Sequence, residues 1–416
     1  MKYFKWLYPG IGIKRWVFLA AFGLSLTIIV ALSAIQTISR HNTLLASFAL
    51  AALIFGIFLV YTAFKNILRT LVRALMPPSQ NDLASIVYES RRRNTLSRGP
   101  RIVAVGGGTG LSMLLAGLKL YSSNVTAIVT VTDTGGSSGI LRDEHDILPP
   151  GDIRNCLVAL ADAEPLIRNL FQYRFEEGGL KGHSFGNLFI TALSKVTGDF
   201  ERAIKESSRV LAIRGRVIPS TLRQVSLVAE FHDGKVIEGE TNITAYEKPI
   251  KRVSLKPADC SATEEALEAI DNAELIVLGP GSLYTSILPN LLIKDILERV
   301  VESKATKIFV INAMTQPGET DRYSAYDHLQ ALVSHTDPRI TDVCFVNTQD
   351  IPKTLLKKYE EKQAFPIQFD VNRIRERGYE VFEAPMLRLD GQVRHDSEKL
   401  AKLMVEKYFQ KEKSDG

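Results

Sequence analysis

Cysteine is scarce. Cys156, Cys260 and Cys344 are the only three in 416 residues and no two form a C-x-x-C pair, which excludes a disulfide framework and a thiolate zinc site. Buried thiols in a reducing compartment fit this usage. Acidic residues are missing from one region only: residues 1–99 hold 2 Asp/Glu against 12 Lys/Arg, and the remainder holds 44 against 39. The formal charge of +5 is therefore +10 at the front and −5 behind. A nucleic-acid-binding domain carries its basic excess on the folded part, so this distribution excludes DNA and RNA and points to an acidic membrane surface. With 45% hydrophobic and 23% charged residues, the chain has the composition of a folded protein.

Charge is also absent from two long stretches, 16–38 and 42–64, each longer than the ~20 apolar residues that cross a bilayer core. A cleaved signal peptide is the rival for the first, but its apolar part is too long and a second span follows at once. Lys2, Lys5, Lys14 and Arg15 precede the pair, Lys65, Arg69 and Arg73 follow it, and Arg40 with His41 lies between. The positive-inside rule puts both termini in the cytoplasm, as a multi-pass hairpin of the cell membrane. Phe64, Ile67, Leu68, Leu71, Val72 and Leu75 then recur at helical spacing, either as an interfacial amphipathic helix or as the second span continued. Three segments result: a membrane hairpin with its extension over 1–76, a basic linker over 77–99 around Arg91, Arg92 and Arg93, and a globular domain over 100–416. The linker can lie along headgroups or be an ordinary solvated run.

In the globular part, short β-rich runs repeatedly end in glycine-rich or polar loops that open helical patterns. Ile102–Val105 enters Gly106-Gly107-Gly108-Thr109-Gly110, a junction that either cradles phosphate on backbone N–H groups or simply makes a tight turn. Leu111 stands where the dinucleotide fingerprint has its third glycine, and no G-K-[ST] follows. Val125–Val131 leads to Asp133, which can meet a ribose hydroxyl, hold Mg²⁺ beside phosphates, or cap the turn before Gly135-Gly136-Ser137-Ser138-Gly139. Pro149-Pro150-Gly151-Asp152-Ile153-Arg154-Asn155 and Gly182-His183-Ser184-Phe185-Gly186-Asn187 each run into a helix, with Asp152 and Ser184 as ligand contacts or N-caps. The second also spells G-x-S-x-G, but the polar Glu176–Lys181 before it is no buried strand, so a hydrolase built on Ser184 is set aside. Asp233-Gly234 marks an inserted β-hairpin. Leu275–Leu278 then enters Gly279-Pro280-Gly281-Ser282-Leu283-Tyr284, where Tyr284 stacks on a base or belongs to the core, and Ile308–Ile311 enters Asn312-Ala313-Met314-Thr315-Gln316-Pro317-Gly318-Glu319-Thr320. The pattern predicts an α/β fold with a mostly parallel sheet and one crevice at its carboxyl edge.

Taken together, these loops with Arg394-His395-Asp396 resemble the YvcK or gluconeogenesis factor family, related to the 2-phospho-L-lactate transferase CofD, over about Pro100 to Phe409. The resemblance implies a Rossmann-like three-layer sandwich. YvcK-like members bind UDP-sugars and support cell-wall synthesis and cell shape on gluconeogenic carbon, whereas CofD-like members transfer a phospholactyl group from a guanylyl donor to a deazaflavin with Mg²⁺. The family pattern has two aspartates after the second strand; here Thr134 follows Asp133, removing one carboxylate and lowering the expectation of turnover. The candidate ligand residues are Gly107, Gly108, Thr109, Gly110, Asp133, Gly135, Gly136, Ser137, Ser138, Asp152, Asn155, His183, Asn187, Gly279, Pro280, Gly281, Ser282, Tyr284, Asn312, Met314, Thr315 and Gln316. No residue is assigned a catalytic role and no cofactor is firmly called for; Asp133 is the candidate metal ligand and Mg²⁺ the candidate ion. A homo-oligomer is left open.

Overall fold

A computed structural model describes residues 13–38, 43–75 and 91–415, which divide into two compact units with a boundary between Arg92 and Arg93. The loop around Arg40 and His41, and most of the expected linker, fall outside the described residues.

The first unit is a pair of helices, Ile13–Ile38 and Thr43–Leu75. The second is one helix of 33 residues, about 50 Å at 1.5 Å per residue, so the apolar pattern past Phe64 continues the span instead of starting a separate element. Both helices are long and apolar enough to cross a membrane. Their outward faces expose large side chains such as Phe18, Phe22, Phe48 and Phe64. Where they meet, a Cβ on Gly23 would lie 2.9 Å from Leu59 Cβ and one on Gly56 would strike the Thr27 hydroxyl. Small residues there let the two backbones close up.

The second unit is built on seven parallel strands in the order β10-β9-β8-β7-β1-β2-β3. They span Ile102–Gly106 (β1), Val125–Val129 (β2), Arg216–Pro219 (β3), Leu275–Leu278 (β7), Thr306–Val310 (β8), Val343–Asn347 (β9) and Glu380–Ala384 (β10). β1, β2, β7, β8 and β9 are buried along their whole length, as continuous apolar runs require when helices cover both faces. Between β2 and β3 the chain leaves the sheet for five helices, ending with Phe185–Thr197 and Phe200–Val210. The predicted hairpin between β3 and β7 is larger than expected. Ser226–Phe231 (β4) pairs antiparallel with Val236–Glu238 (β5) and also with Ile250–Lys256 (β6), making a three-stranded sheet. β6 buries Ile250, Val253 and Leu255 among charged neighbours, an irregular alternation that hides it as a strand.

Strand order reverses at β1, whose neighbours β2 and β7 lead the chain in opposite directions across the sheet. The crevice beyond the carboxyl ends of β1 and β7 is where open α/β sheets bind ligands.

Candidate functional site

Two glycine loops form the floor of that crevice. Gly107 is extended and Gly108 has φ +62°, turning the chain from β1 into the helix Gly108–Leu118. A Cβ on Gly110 would strike the Pro280 carbonyl, so the loops after β1 and β7 touch through backbone alone. The first N–H groups of a helix have no partner within it, and that of Gly108 is taken by the Asp152 carboxylate. Those of Thr109 and Gly110 remain.

The cavity above them, about 620 Å³, is lined by Gly107–Gly110, Pro280, Gly281, Ser282, Asn312, Met314, Thr315 and Gln316. Asn312 is held by its amide donating to the Gly281 carbonyl at 2.8 Å, and Thr315 by hydrogen bonds exchanged with Phe365. Half of the expected residues therefore meet in one place. A larger opening, about 760 Å³, lies at the opposite edge of β1, β2 and β3, away from these loops.

A second group of expected residues forms a polar annex beside the floor. Gly135 N–H donates to Asp133 at 2.7 Å, and a Cβ on Gly107 would lie 2.6 Å from Asp152. Asn187 donates to Ser137 at 3.1 Å, and Ser137 shares a hydrogen bond of 3.1 Å with His183 Nδ1. Asn155 accepts from Arg154, and Ser138 lies close against Gly151. Asn187 Oδ1 and Arg154 Nε are buried without a partner among the described residues. Gly136 is exposed at the start of its helix, with φ +45°.

Two expected residues take other roles. Tyr284 is 2% exposed, and its hydroxyl pairs with that of Tyr323 at 2.8 Å, so its ring belongs to the core and is not presented for stacking. Gly279, at φ +78°, shapes the turn and does not line the cavity. Ser184 is fully buried, caps the helix Phe185–Thr197 by accepting from Asn187 N–H, and is gripped by Arg154, which leaves it no role as a nucleophile.

The site also holds residues outside the expected ligand set: Glu240 and Lys362, which no motif marked, and Glu319, Arg394 and His395, which lie in quoted motifs without having been assigned to the ligand. Glu240, from the helix that joins β5 to β6, and Glu319 line the cavity, as do Lys362, Arg394 and His395. Burial raises the Glu240 carboxyl to about 8, with the charges of Asp133, Asp152 and Glu319 adding to it. Burial likewise raises Asp152 to about 6, against the opposing Gly108 N–H, with Asp133 raising it further and Arg154 lowering it. Glu319 is raised by burial too, although the Ser282 and Thr285 hydroxyls and the Tyr284 and Thr285 amides donate to it. His395 is pushed down to about 4 by burial, and its Nε2 has no partner. Glu240 thus brings a carboxyl to the crevice from outside the loop that holds Asp133 and Thr134. Thr134 Oγ1 accepts from Thr241 N–H at 3.2 Å and so fixes the start of the helix Glu240–Ala245, with Glu240 at its head. Among the described residues, no three His, Cys, Asp or Glu side chains are grouped to hold a metal ion.

A parallel sheet with a glycine-lined crevice at its switch point defines the class: the sequence profile described as 2-phospho-L-lactate transferase CofD matches residues 102–387, and the chain belongs to that family. Within it, the similarity is to the gluconeogenesis factors. The Gluconeogenesis factor of Bacillus subtilis is 49% identical over 309 residues, covering 74% of this chain and 98% of its own length. A relative from Clostridium acetobutylicum is 42% identical over 422 residues, covering 99% of this chain and 93% of its own. A crystal structure of a Bacillus halodurans protein of the UPF0052 family, 46% identical, superposes with a TM-score of 0.72 over 74% of this chain and 99% of that one. The match to the Bacillus protein accounts for nearly all of that protein with only three quarters of this chain, whereas the Clostridium match also takes in the N-terminal part.

Proposed function

We propose that the protein is a UDP-sugar-binding factor that serves cell-wall synthesis and cell shape on gluconeogenic carbon, and that it holds its ligand without turning it over. The polarity of the crevice carries this reading. Phosphates call for N–H donors and cations, and the floor offers Thr109 and Gly110, while Lys362 and Arg394 line the wall with no ion pair among the described residues. Sugar hydroxyls call for acceptors, and Asp152, Glu240 and Glu319 gather over the ends of β1 and β7. Mg²⁺ takes one or two carboxylates plus phosphate oxygens, so Asp133, with Asp152 near it, suits an ion that arrives with the ligand.

One observation favours the transferase alternative: the carboxylates in the crevice outnumber what the loop sequence offers, and Glu240 with its raised pKa is suited to hold a proton at neutral pH. Incubation of the protein with Mg²⁺, a guanylyl phospholactate and a deazaflavin, followed by mass spectrometry, separates the two. Unchanged reactants support the binding factor, and protein-dependent transfer overturns it.

The same proposal places both termini and the α/β unit in the cytoplasm, with the N-terminal helices as an anchor, following the Lys/Arg distribution. Cysteine labelling of intact cells tests it. A His41→Cys variant should react with an impermeant reagent and a cysteine at the C-terminus should not; the reverse pattern inverts the topology.

A further inference from the structure

A smaller cleft of about 190 Å³ opens off the crevice, sharing Asn312 and Ala313 with it and lying beyond the carboxyl end of β9. Its walls differ from the rest of the site. Ile351, Leu356, Pro366 and Ile367 make it apolar, and Phe369 stands at its rim, 55% exposed and in contact with no other ring among the described residues. One edge is polar. The Gln349 side-chain oxygen is used by Leu387 N–H at 3.1 Å, while its amide N–H₂ donates to no group among the described residues. Asp350 is exposed and its carboxylate has no partner among the described residues.

We infer that this cleft is the base subsite for the nucleotide ligand, an inference that rests on the function proposed above. It is far smaller than a pocket for a whole drug-sized ligand, so one planar ring system is what it can take, laid against Phe369 with its edge toward Gln349 and Asp350. The carboxylate selects among bases. A ring N–H flanked by a carbonyl, as in uracil and guanine, is a more acidic donor than an exocyclic amine and makes the stronger charge-assisted bond to Asp350, while Gln349 donates to the adjacent carbonyl. Adenine and cytosine present an unprotonated ring nitrogen at that place, a lone pair facing a carboxylate. Joined to the main crevice at Asn312, the subsite sets the ligand's direction: base past β9, diphosphate on the glycine floor, sugar toward the carboxylates.

Calorimetric titration of the full-length chain in detergent micelles with UDP-, GDP-, ADP- and CDP-glucose tests this. UDP- and GDP-glucose should bind at least tenfold more tightly than ADP- and CDP-glucose, and the stronger of the first two names the base. Phe369→Ala should weaken that ligand by about tenfold or more, Phe369→Trp should restore it, and Asp350→Asn should narrow the gap to ADP-glucose. Four affinities within twofold of each other, or a Phe369→Ala variant that binds as the wild type does, overturn the base subsite. If that variant is unaffected while Gly281→Val, in the floor of the crevice, abolishes binding, the crevice stands and only the base is misplaced; if none of the four ligands binds the wild type, the nucleotide reading falls with it.

Discussion

Replacing Glu240 with glutamine should stabilise the ligand-free protein, by an amount that grows with pH. Its carboxyl lies at about 8 when folded, against 4.5 for an unperturbed glutamate, because burial and the neighbouring carboxylates disfavour its charge. The folded state therefore holds a proton that the unfolded state has released at any pH between those values. By linkage, stability falls as pH rises through that window and is level on either side of it. The full shift corresponds to nearly 5 kcal/mol above pH 8, an upper limit at 1.36 kcal/mol per pH unit. Partial solvent access reduces this to about 2 kcal/mol. For a unit of some 320 residues with ~2.1 cal/mol/K per residue, that is about 3 °C in Tm. Glutamine keeps the shape and carries no charge. Scanning calorimetry of wild type and Glu240→Gln from pH 4 to 9 should show the two converging near pH 4 and the variant ahead by about 3 °C at pH 9. A difference that does not vary with pH would refute the coupling between these carboxylates.

Three further outcomes follow from the same structure. Gly110→Ala should cost stability, about 2 kcal/mol or more, because its Cβ meets the Pro280 carbonyl, whereas Gly281→Val, facing the cavity with its Cβ in ordinary contact only, should lose ligand affinity chiefly; chemical denaturation and titration separate them. Tyr284→Phe should cost about 1 kcal/mol for the lost Tyr323 hydrogen bond and leave affinity unchanged, so a fall in affinity at constant stability would restore Tyr284 to the ligand. Ser184→Ala should lose about 1 kcal/mol as a helix cap, and the wild type should resist fluorophosphonate labelling; labelling at Ser184 would revive the hydrolase.

The parts of the fold legible in the sequence are those that obey local rules. β1, β2, β7 and β8 are short apolar runs entering glycine or polar loops, and a parallel sheet with its crevice follows from that repetition. β6 was hidden because its buried and charged residues do not alternate evenly. Tyr284 follows a glycine loop and looks like a ligand residue, but a wide helical turn over Leu283–Ile287 swings it onto Tyr323 and into the core. The most consequential omission was Glu240. It heads the helix Glu240–Ala245, between β5 and β6 and about 100 residues after Asp133, and the bonds of Thr241 to Thr134 and of Glu240 to Thr285 tie it to the crevice, so counting carboxylates along one loop could not find it.

Calorimetric titration of the full-length chain with a UDP-sugar in the presence of Mg²⁺ tests the central claim most directly. Saturation at one ligand per chain, abolished by Gly281→Val and followed by recovery of the UDP-sugar intact, is the predicted result. Absence of saturable heat, or recovery of UDP and free sugar in its place, would contradict it.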